Sequence, residues 1–261
     1  MVLHDGHEES SRRNRDVDWR TFNSVSYWED NYRVLRSDDR EIVQAVAGFF
    51  SDHFGKNPGT ELLRGLDAGS GANLYPALGL LPWSGKITLT DLAPGNIAWL
   101  NRAAAGIGVE NEEGGWVWQP SWAEYARFPG YRQLANPRQL LAVRHEVLRL
   151  NVLELPEADW DLGTMFFVAE SMTSDQDEFR AASTAFLRAL VPGAPFAAAF
   201  RGGAFEYQVA GVSFPAVGAV DAELIETVLS RFSADLEVIK IDIPARADYD
   251  GIVLALGTTA C

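Results

Sequence analysis

From Ser37 onward, apolar positions recur at the spacing of one helical face: Ile42, Val43, Val46, Phe49 and Phe50. Asp38 and Glu41 stand at capping-box spacing just ahead of them, so an amphipathic helix is expected to begin there. The pattern then changes. Leu62 to Asp67 reads as a strand, a glycine-rich turn follows, and a helical stretch runs to about Leu81. Lys86 to Thr90 is a second strand and Pro94 opens another helix. This alternation predicts a parallel sheet flanked by helices.

The middle of the chain is less regular. Gly114 to Gly130 carries Trp116, Trp118 and Trp122 with Pro120 and Pro129 as breakers, and no element is assigned to it. The tryptophans are read as core residues, because large apolar rings more often pack than bind. An arginine-rich helix is expected over Pro137 to Leu148, followed by a short extended piece at Leu150 to Leu153. Asp161 to Val168 reads as a buried strand, Asp175 to Leu190 as a helix, Phe196 to Phe200 as a strand and Asp221 to Phe232 as a helix. Leu236 to Ile243 and Gly251 to Leu256 are expected to close the chain as an antiparallel strand pair. Residues 1–18 mix charge with Ser and Gly and offer few apolar anchors, which predicts a disordered tail outside a single domain over 19–261.

Composition narrows the function classes. Nearly half of the 261 residues are apolar, enough for one substantial core. A net charge of -14 argues against a nucleic-acid partner, whose recognition needs a basic surface, and favours a small molecule. The one cysteine, Cys261, leaves no disulfide within the chain, and a cytoplasmic location is expected. No apolar run is long enough to cross a bilayer, and the first residues lack the apolar segment of a secretory signal, so no membrane association is expected. His4, His7, His53 and His145 fall in unrelated segments, so no metal site is expected. No serine stands in a nucleophile elbow.

The strongest chemical signal is Gly65-Leu66-Asp67-Ala68-Gly69-Ser70-Gly71, a strand running into a glycine turn before a helix. Absent side chains let a ligand approach the backbone, and the helix start supplies free amides. Asp91 ends the next strand, 20 residues beyond Gly71, where a carboxylate can meet the ribose hydroxyls of an adenosine-containing cofactor. A nicotinamide dinucleotide fingerprint would want a third glycine where this chain has Leu74. Asp67, an acid on the strand just before the glycines, can face the amino-acid end of a different adenosine cofactor.

Here the chain resembles the nicotinamide, phenylethanolamine and indolethylamine N-methyltransferases. Phe22-Asn23 with Tyr27 and Tyr32 resembles the family's N-terminal cofactor lid, expected over residues 19–54, and Gly69-Ser70-Gly71 with Tyr75 resembles its first motif. Thr90-Asp91 with Asn96 resembles the second, Leu148 to Val152 the adenine-holding segment, and Asp161 through Phe179 the strand, acid and helix that follow. The resemblance spans roughly Phe22 to Leu256. It implies a Rossmann-like α/β fold with a mostly parallel seven-stranded sheet, helices on both faces and a C-terminal antiparallel strand pair. It implies S-adenosylmethionine as cofactor, held by Tyr27, Tyr32, Asp67, Gly69, Ser70, Gly71, Tyr75, Asp91, Asn96, Asn151, Val152 and Phe166. The implied acceptor is a small amine or aromatic nitrogen, with Phe167, Glu170, Phe200 and Tyr207 in the substrate pocket and with Glu170 and Tyr27 catalytic.

The chain departs from the family in places. Asn151 replaces the usual Asp, Val191-Pro192-Gly193-Ala194 replaces a Lys-Pro-Gly-Gly turn, and Phe200 falls where the nicotinamide enzyme carries an acid. The last departure counts against nicotinamide as acceptor. A nicotinamide-dependent oxidoreductase, which would share the glycine turn and Asp91, and a non-catalytic S-adenosylmethionine-binding protein, for which Phe200 speaks, stay open as alternatives.

Overall fold

Two 3-10 turns, Asn14–Asp16 and Trp19–Thr21, lead into α1 (Ser24–Asn31), where the Asn23 side chain caps the helix by accepting the Ser26 amide at 3.1 Å. The structure is a computed structural model that describes residues 11–55, 63–107, 110, 115–203, 205–241 and 251–260. Residues 1–10 of the expected tail with His4 and His7, and also Leu62, Gly114, residues 242–250 and Cys261, lie outside the described residues. Helix α2 (Ser37–Phe54) buries Ile42, Val43, Val46, Ala47 and Phe50, the stripe its periodicity predicts. It begins earlier than the expected capping box. Arg36 is the N-cap residue and Asp38 lies inside the first turn, its Oδ1 accepting the Asp39 amide at 3.0 Å.

The alternating core of the chain follows as β1 (Leu63–Asp67), α3 (Tyr75–Leu80), β2 (Ser84–Asp91) and α4 (Pro94–Ala104), whose Pro94 stands at the helix start where no amide donor is needed. The unassigned middle folds as α5 (Gln119–Tyr125) and α6 (Pro129–Arg132), with Trp116, Trp118 and Trp122 buried. Helix α7 (Pro137–Arg144) stops short of its expected end. Residues His145–Arg149 instead form β3, paired with β2 from Ile87 opposite His145 to Asp91 opposite Arg149, and the piece expected to be extended becomes a 3-10 turn at Val152–Glu154. Sheet pairing overrides local helix preference there. The chain continues with β4 (Leu162–Phe166), α8 (Gln176–Ala189) and β5 (Pro195–Gly202). It then forms a hairpin of β6 (Glu206–Val209) and β7 (Val212–Pro215), and ends in α9 (Ala222–Leu229), β8 (Ser233–Ile241) and β9 (Gly251–Thr259). The hairpin turns on Ala210 and Gly211, both at positive φ (49° and 81°), as a type I′ turn requires.

The main sheet has seven strands in the order β3-β2-β1-β4-β5-β9-β8, parallel except for β9, which runs antiparallel to both β5 and β8. Its order reverses between β1 and β4, so the carboxyl ends of those strands open a crevice where ligands of such folds bind. One apolar layer joins α2 to α7 on one face, and a second joins α8 and α9 on the other.

Strand β5 divides its residues between these layers. Ala197 and Ala199 belong to the first, and Phe196, Ala198 and Phe200 to the second. The expectation that Phe200 lines a substrate pocket is therefore corrected: its ring is fully buried, edge-on to Phe179 at 5.9 Å. Phe200→Ala should cost about 3 to 5 kcal/mol of stability, the range for emptying a buried phenyl site, measured from urea denaturation midpoints. A loss below about 1 kcal/mol would contradict its core assignment.

Candidate functional site

The glycine turn after β1 is tied to the end of β2. The Ser70 amide donates to the Thr90 carbonyl (2.7 Å), the Gly69 amide to the Thr90 hydroxyl (3.1 Å) and the Gly71 amide to Asp91 Oδ2 (2.9 Å). Gly69 and Gly71 have φ of +65° and +61°, and a Cβ on Gly69 would lie 2.5 Å from Val168. A side chain there is excluded both by backbone conformation and by contact. A Cβ on Gly71 by contrast would meet only the Gly69 carbonyl oxygen at 3.9 Å, which leaves room for a ligand to approach the backbone.

Around this turn is a cleft that opens to solvent and spans about 790 Å³ together with the space at its mouth. Its wall brings together thirteen of the residues expected in the site: Tyr27, Tyr32, Asp67, Gly69, Ser70, Gly71, Asp91, Asn96, Asn151, Val152, Phe166, Phe167 and Tyr207. Asn96 accepts a 2.6 Å hydrogen bond from the Ser24 hydroxyl, which fastens α1 over α4. Asn151 accepts from the Leu153 amide (3.2 Å) and from the Asn14 side chain (3.1 Å) at the cleft's Leu150–Val152 side.

Three expected residues are elsewhere. Phe200 is in the core, as described above. Tyr75 lies behind the wall, its ring edge-on to Tyr32 (6.0 Å) and Phe166 (5.8 Å), and its neighbour Pro76 reaches the cleft instead. Glu170 is also one layer back, because β4 ends at Phe166 and Phe167 takes a left-handed φ of 60°, which turns the chain before the acid is reached. Such strain in a non-glycine residue persists only where its surroundings hold it.

The buried acids are the electrostatic feature of the site. Asp67 Oδ1 accepts the Thr164 hydroxyl at 2.8 Å, and its Oδ2 is buried with no hydrogen-bond partner. Burial pushes the Asp67 carboxyl up to about 7, with Ser70 and Thr164 opposing and neighbouring Asp91 adding to the rise. Asp91 is raised by burial too, against hydrogen bonds from Ala93, Asn96 and Gly71. Glu170 Oε1 accepts the Arg201 amide at 3.0 Å while Oε2 is buried and unpartnered, and burial pushes this carboxyl up to about 7 despite the opposing charge of Arg201.

Sequence reasoning missed several parts of the site. Asn14 and Trp19 line the cleft, joined by a 2.8 Å hydrogen bond from the indole to the Asn14 side-chain oxygen. The expected tail is thus narrowed: residues 11–18 are docked, with Arg12 and Ser174 exchanging two hydrogen bonds, the Asn14 amide on Glu178 (2.7 Å), and Asn14 and Val17 buried. Polar groups at the start of α8 supply anchors that hydrophobic periodicity does not register. Trp19, in an otherwise charged stretch, was the available signal. Phe22, Ser171 and Met172 also line the cleft, and Arg201 stands behind Tyr27, donating from Nη2 to its hydroxyl at 3.0 Å.

Neither a protein-family model nor a curated protein sequence matches the chain. Its fold does match solved structures. NodS, an N-methyltransferase from Bradyrhizobium japonicum WM9 in complex with S-adenosyl-L-homocysteine, superposes with a TM-score of 0.51 at 15% identity, over 91% of this chain and 98% of NodS. DhpI in its SAM–HEP complex gives a TM-score of 0.52 at 13% identity over 89% and 92% of the two chains. The CurJ carbon methyltransferase gives 0.52 at 10% identity over 95% of this chain and 62% of that one. At these identities the likeness is one of architecture: the chain has the Rossmann-like fold of S-adenosylmethionine-dependent methyltransferases.

Proposed function

We propose that the chain transfers a methyl group from S-adenosylmethionine to a nitrogen of a small amine or heteroaromatic acceptor, by direct displacement. The observation that carries this reading is a single cleft that combines the glycine turn, the buried Asp67, the half-buried Asp91 and an aromatic acceptor end. The cofactor supplies an electrophilic methyl group on a sulfonium centre. The residues present fit its parts. Unpartnered Asp67 Oδ2 suits the ammonium of the amino-acid end. Asp91 keeps lone pairs for ribose hydroxyls even with Oδ1 on the Ala93 amide and Oδ2 on Gly71, since a carboxylate has about four acceptor sites. Leu92, Leu150, Asn151 and Val152 form the side where an adenine would lie.

Displacement requires little acid or base chemistry, so the protein's contribution is to align the nucleophile with the methyl group and to exclude water, effects that can reach about 7 to 11 kcal/mol. Tyr27, Tyr32, Phe22 and Trp19 on the N-terminal elements cover the cleft and serve as that lid. Glu170 supports an amine acceptor. Its carboxyl lies one layer behind the wall against the Arg201 amide, and in its ionised form its negative charge favours a cationic amine at the acceptor end. The fold itself does not select nitrogen, as the carbon acceptor of CurJ illustrates.

Three measurements test the reading. Asp91→Ala removes charge-assisted hydrogen bonds worth roughly 1.5 to 3 kcal/mol each, so S-adenosylhomocysteine affinity by calorimetry should fall at least about tenfold; unchanged affinity in a folded variant would sink the ribose assignment. Hydrogen exchange across residues 18–36 should slow when S-adenosylhomocysteine is added, and equal exchange would remove the lid from the account. Because Glu170 titrates near 7, kcat/KM for an amine should rise as the pH passes through about 7, and Glu170→Gln should abolish that step while depressing turnover far more than cofactor affinity. A parental pH profile and rate in Glu170→Gln, or a wild-type preference for a matched neutral phenol, would refute the amine acceptor.

A further inference from the structure

We propose that Arg201 is the positioning residue of a carboxylate-binding end of this cleft, holding the Tyr27 hydroxyl so that its proton points at a carboxylate of the bound ligand. The inference rests on the methyltransferase reading of the cleft and adds a residue and a ligand chemistry to it. Arg201 is carried by β5 one position after Phe200, so the alternation that buries Phe200 against α8 turns Arg201 to the opposite face, beneath the N-terminal elements. Its guanidinium lies over the Phe167 ring, 5.2 Å from the centroid, and its Nη2 is 3.0 Å from the Tyr27 hydroxyl oxygen.

Donor and acceptor roles then follow from elementary chemistry. A guanidinium has only N–H donors, so the Tyr27 oxygen is the acceptor in that bond and its own hydrogen is directed elsewhere. Tyr27 forms part of the cleft wall, with the Tyr32 ring edge-on to it at 5.8 Å. Tyr207 has the reverse assignment: its hydroxyl donates to the Ser171 carbonyl at 3.1 Å, which leaves only lone pairs for a ligand. One side of this end therefore presents a donor backed by a permanent positive charge, and the other presents an acceptor. An anionic oxygen belongs on the Tyr27 side. Arg201 also borders a second cavity with Asp38 and Asp39, and the Glu170 carboxyl held on its backbone amide supplies an opposite charge behind the wall without engaging the Tyr27 hydrogen.

The carboxylate can belong to the amino-acid end of the cofactor or to the acceptor. Calorimetry separates these, using S-adenosylhomocysteine and 5′-deoxy-5′-methylthioadenosine, which keeps the adenosine thioether and lacks the amino-acid end. Wild type, Arg201→Met, Arg201→Lys and Tyr27→Phe would be titrated with both nucleosides. If the cofactor carboxylate is the ligand, Arg201→Met and Tyr27→Phe weaken S-adenosylhomocysteine about tenfold or more, leave methylthioadenosine within about twofold, and Arg201→Lys recovers part of the loss. If the acceptor carboxylate is the ligand, both nucleosides bind as in wild type, and Arg201→Met raises KM only for the carboxylate-bearing member of a matched pair of amine acceptors. Equal weakening of both nucleosides, or no discrimination in either arm, overturns the role of Arg201 and leaves the methyltransferase reading intact. A wild-type protein that binds neither nucleoside overturns both.

Discussion

The tie between the turn after β1 and the end of β2 is the constraint on which the site depends. Three successive amides, from Gly69, Ser70 and Gly71, are engaged by Thr90 and Asp91, so the glycine turn has no freedom to relax toward the cleft. The same bonds fix Asp91 from above, and the Ala93 amide fixes its other oxygen from below at 2.8 Å. A carboxylate held by two backbone amides can be kept in a buried place where an unassisted charge would be too costly. Turn and acid are in effect one rigid part, built where the strand order reverses, and the remaining wall is assembled around it by elements from distant parts of the chain.

Much of that rigid part was legible in the sequence because it is local. Glycines adjacent to an acid-ended strand, followed by a second such strand, carry their own geometry, and Tyr27, Tyr32, Asn96 and Asn151 were found through the resemblance to the N-methyltransferases. What was not legible depends on non-local pairing or on a single change of register. Helix α7 gave way to β3 because pairing with β2 outweighs the helical preference of an arginine-rich segment. Phe200 is in the core and Arg201 is on the side of the cleft because a strand alternates faces with each residue, and no feature of Phe196 to Phe200 alone shows which face is turned to the helices α8 and α9. Asn14 was invisible for another reason: its burial rests on polar contacts to Asn151, Trp19 and Glu178, and such contacts leave no apolar signature.

Phe167 links the buried charges to the cleft. Its left-handed backbone ends β4, its ring forms wall on one side and supports the Arg201 guanidinium on the other, and the turn it makes withdraws Glu170 behind that wall. A straight continuation of β4 would have brought the acid to the cleft and exposed it to water. Instead Glu170 sits on the Arg201 backbone amide within reach of the guanidinium charge that also bonds the Tyr27 hydroxyl, so the same cation favours the ionised Glu170 and strengthens Tyr27 as a donor.

The acids also set what a ligand of this cleft has to bring. Asp67 is buried beside the half-buried Asp91 and retains an unpartnered oxygen, so both desolvation and mutual repulsion oppose full ionisation. A ligand that brings a positive group to Asp67 and hydroxyl donors to Asp91 removes both penalties at once. The gain belongs to the pair, since replacing only one of the two groups leaves the other acid uncompensated. A molecule that joins an ammonium to a ribose across the span between these aspartates meets that requirement, whereas an adenosine alone meets half of it. The glycine turn lies between the two acids in the sequence, and it is the absence of side chains there that lets one ligand reach both.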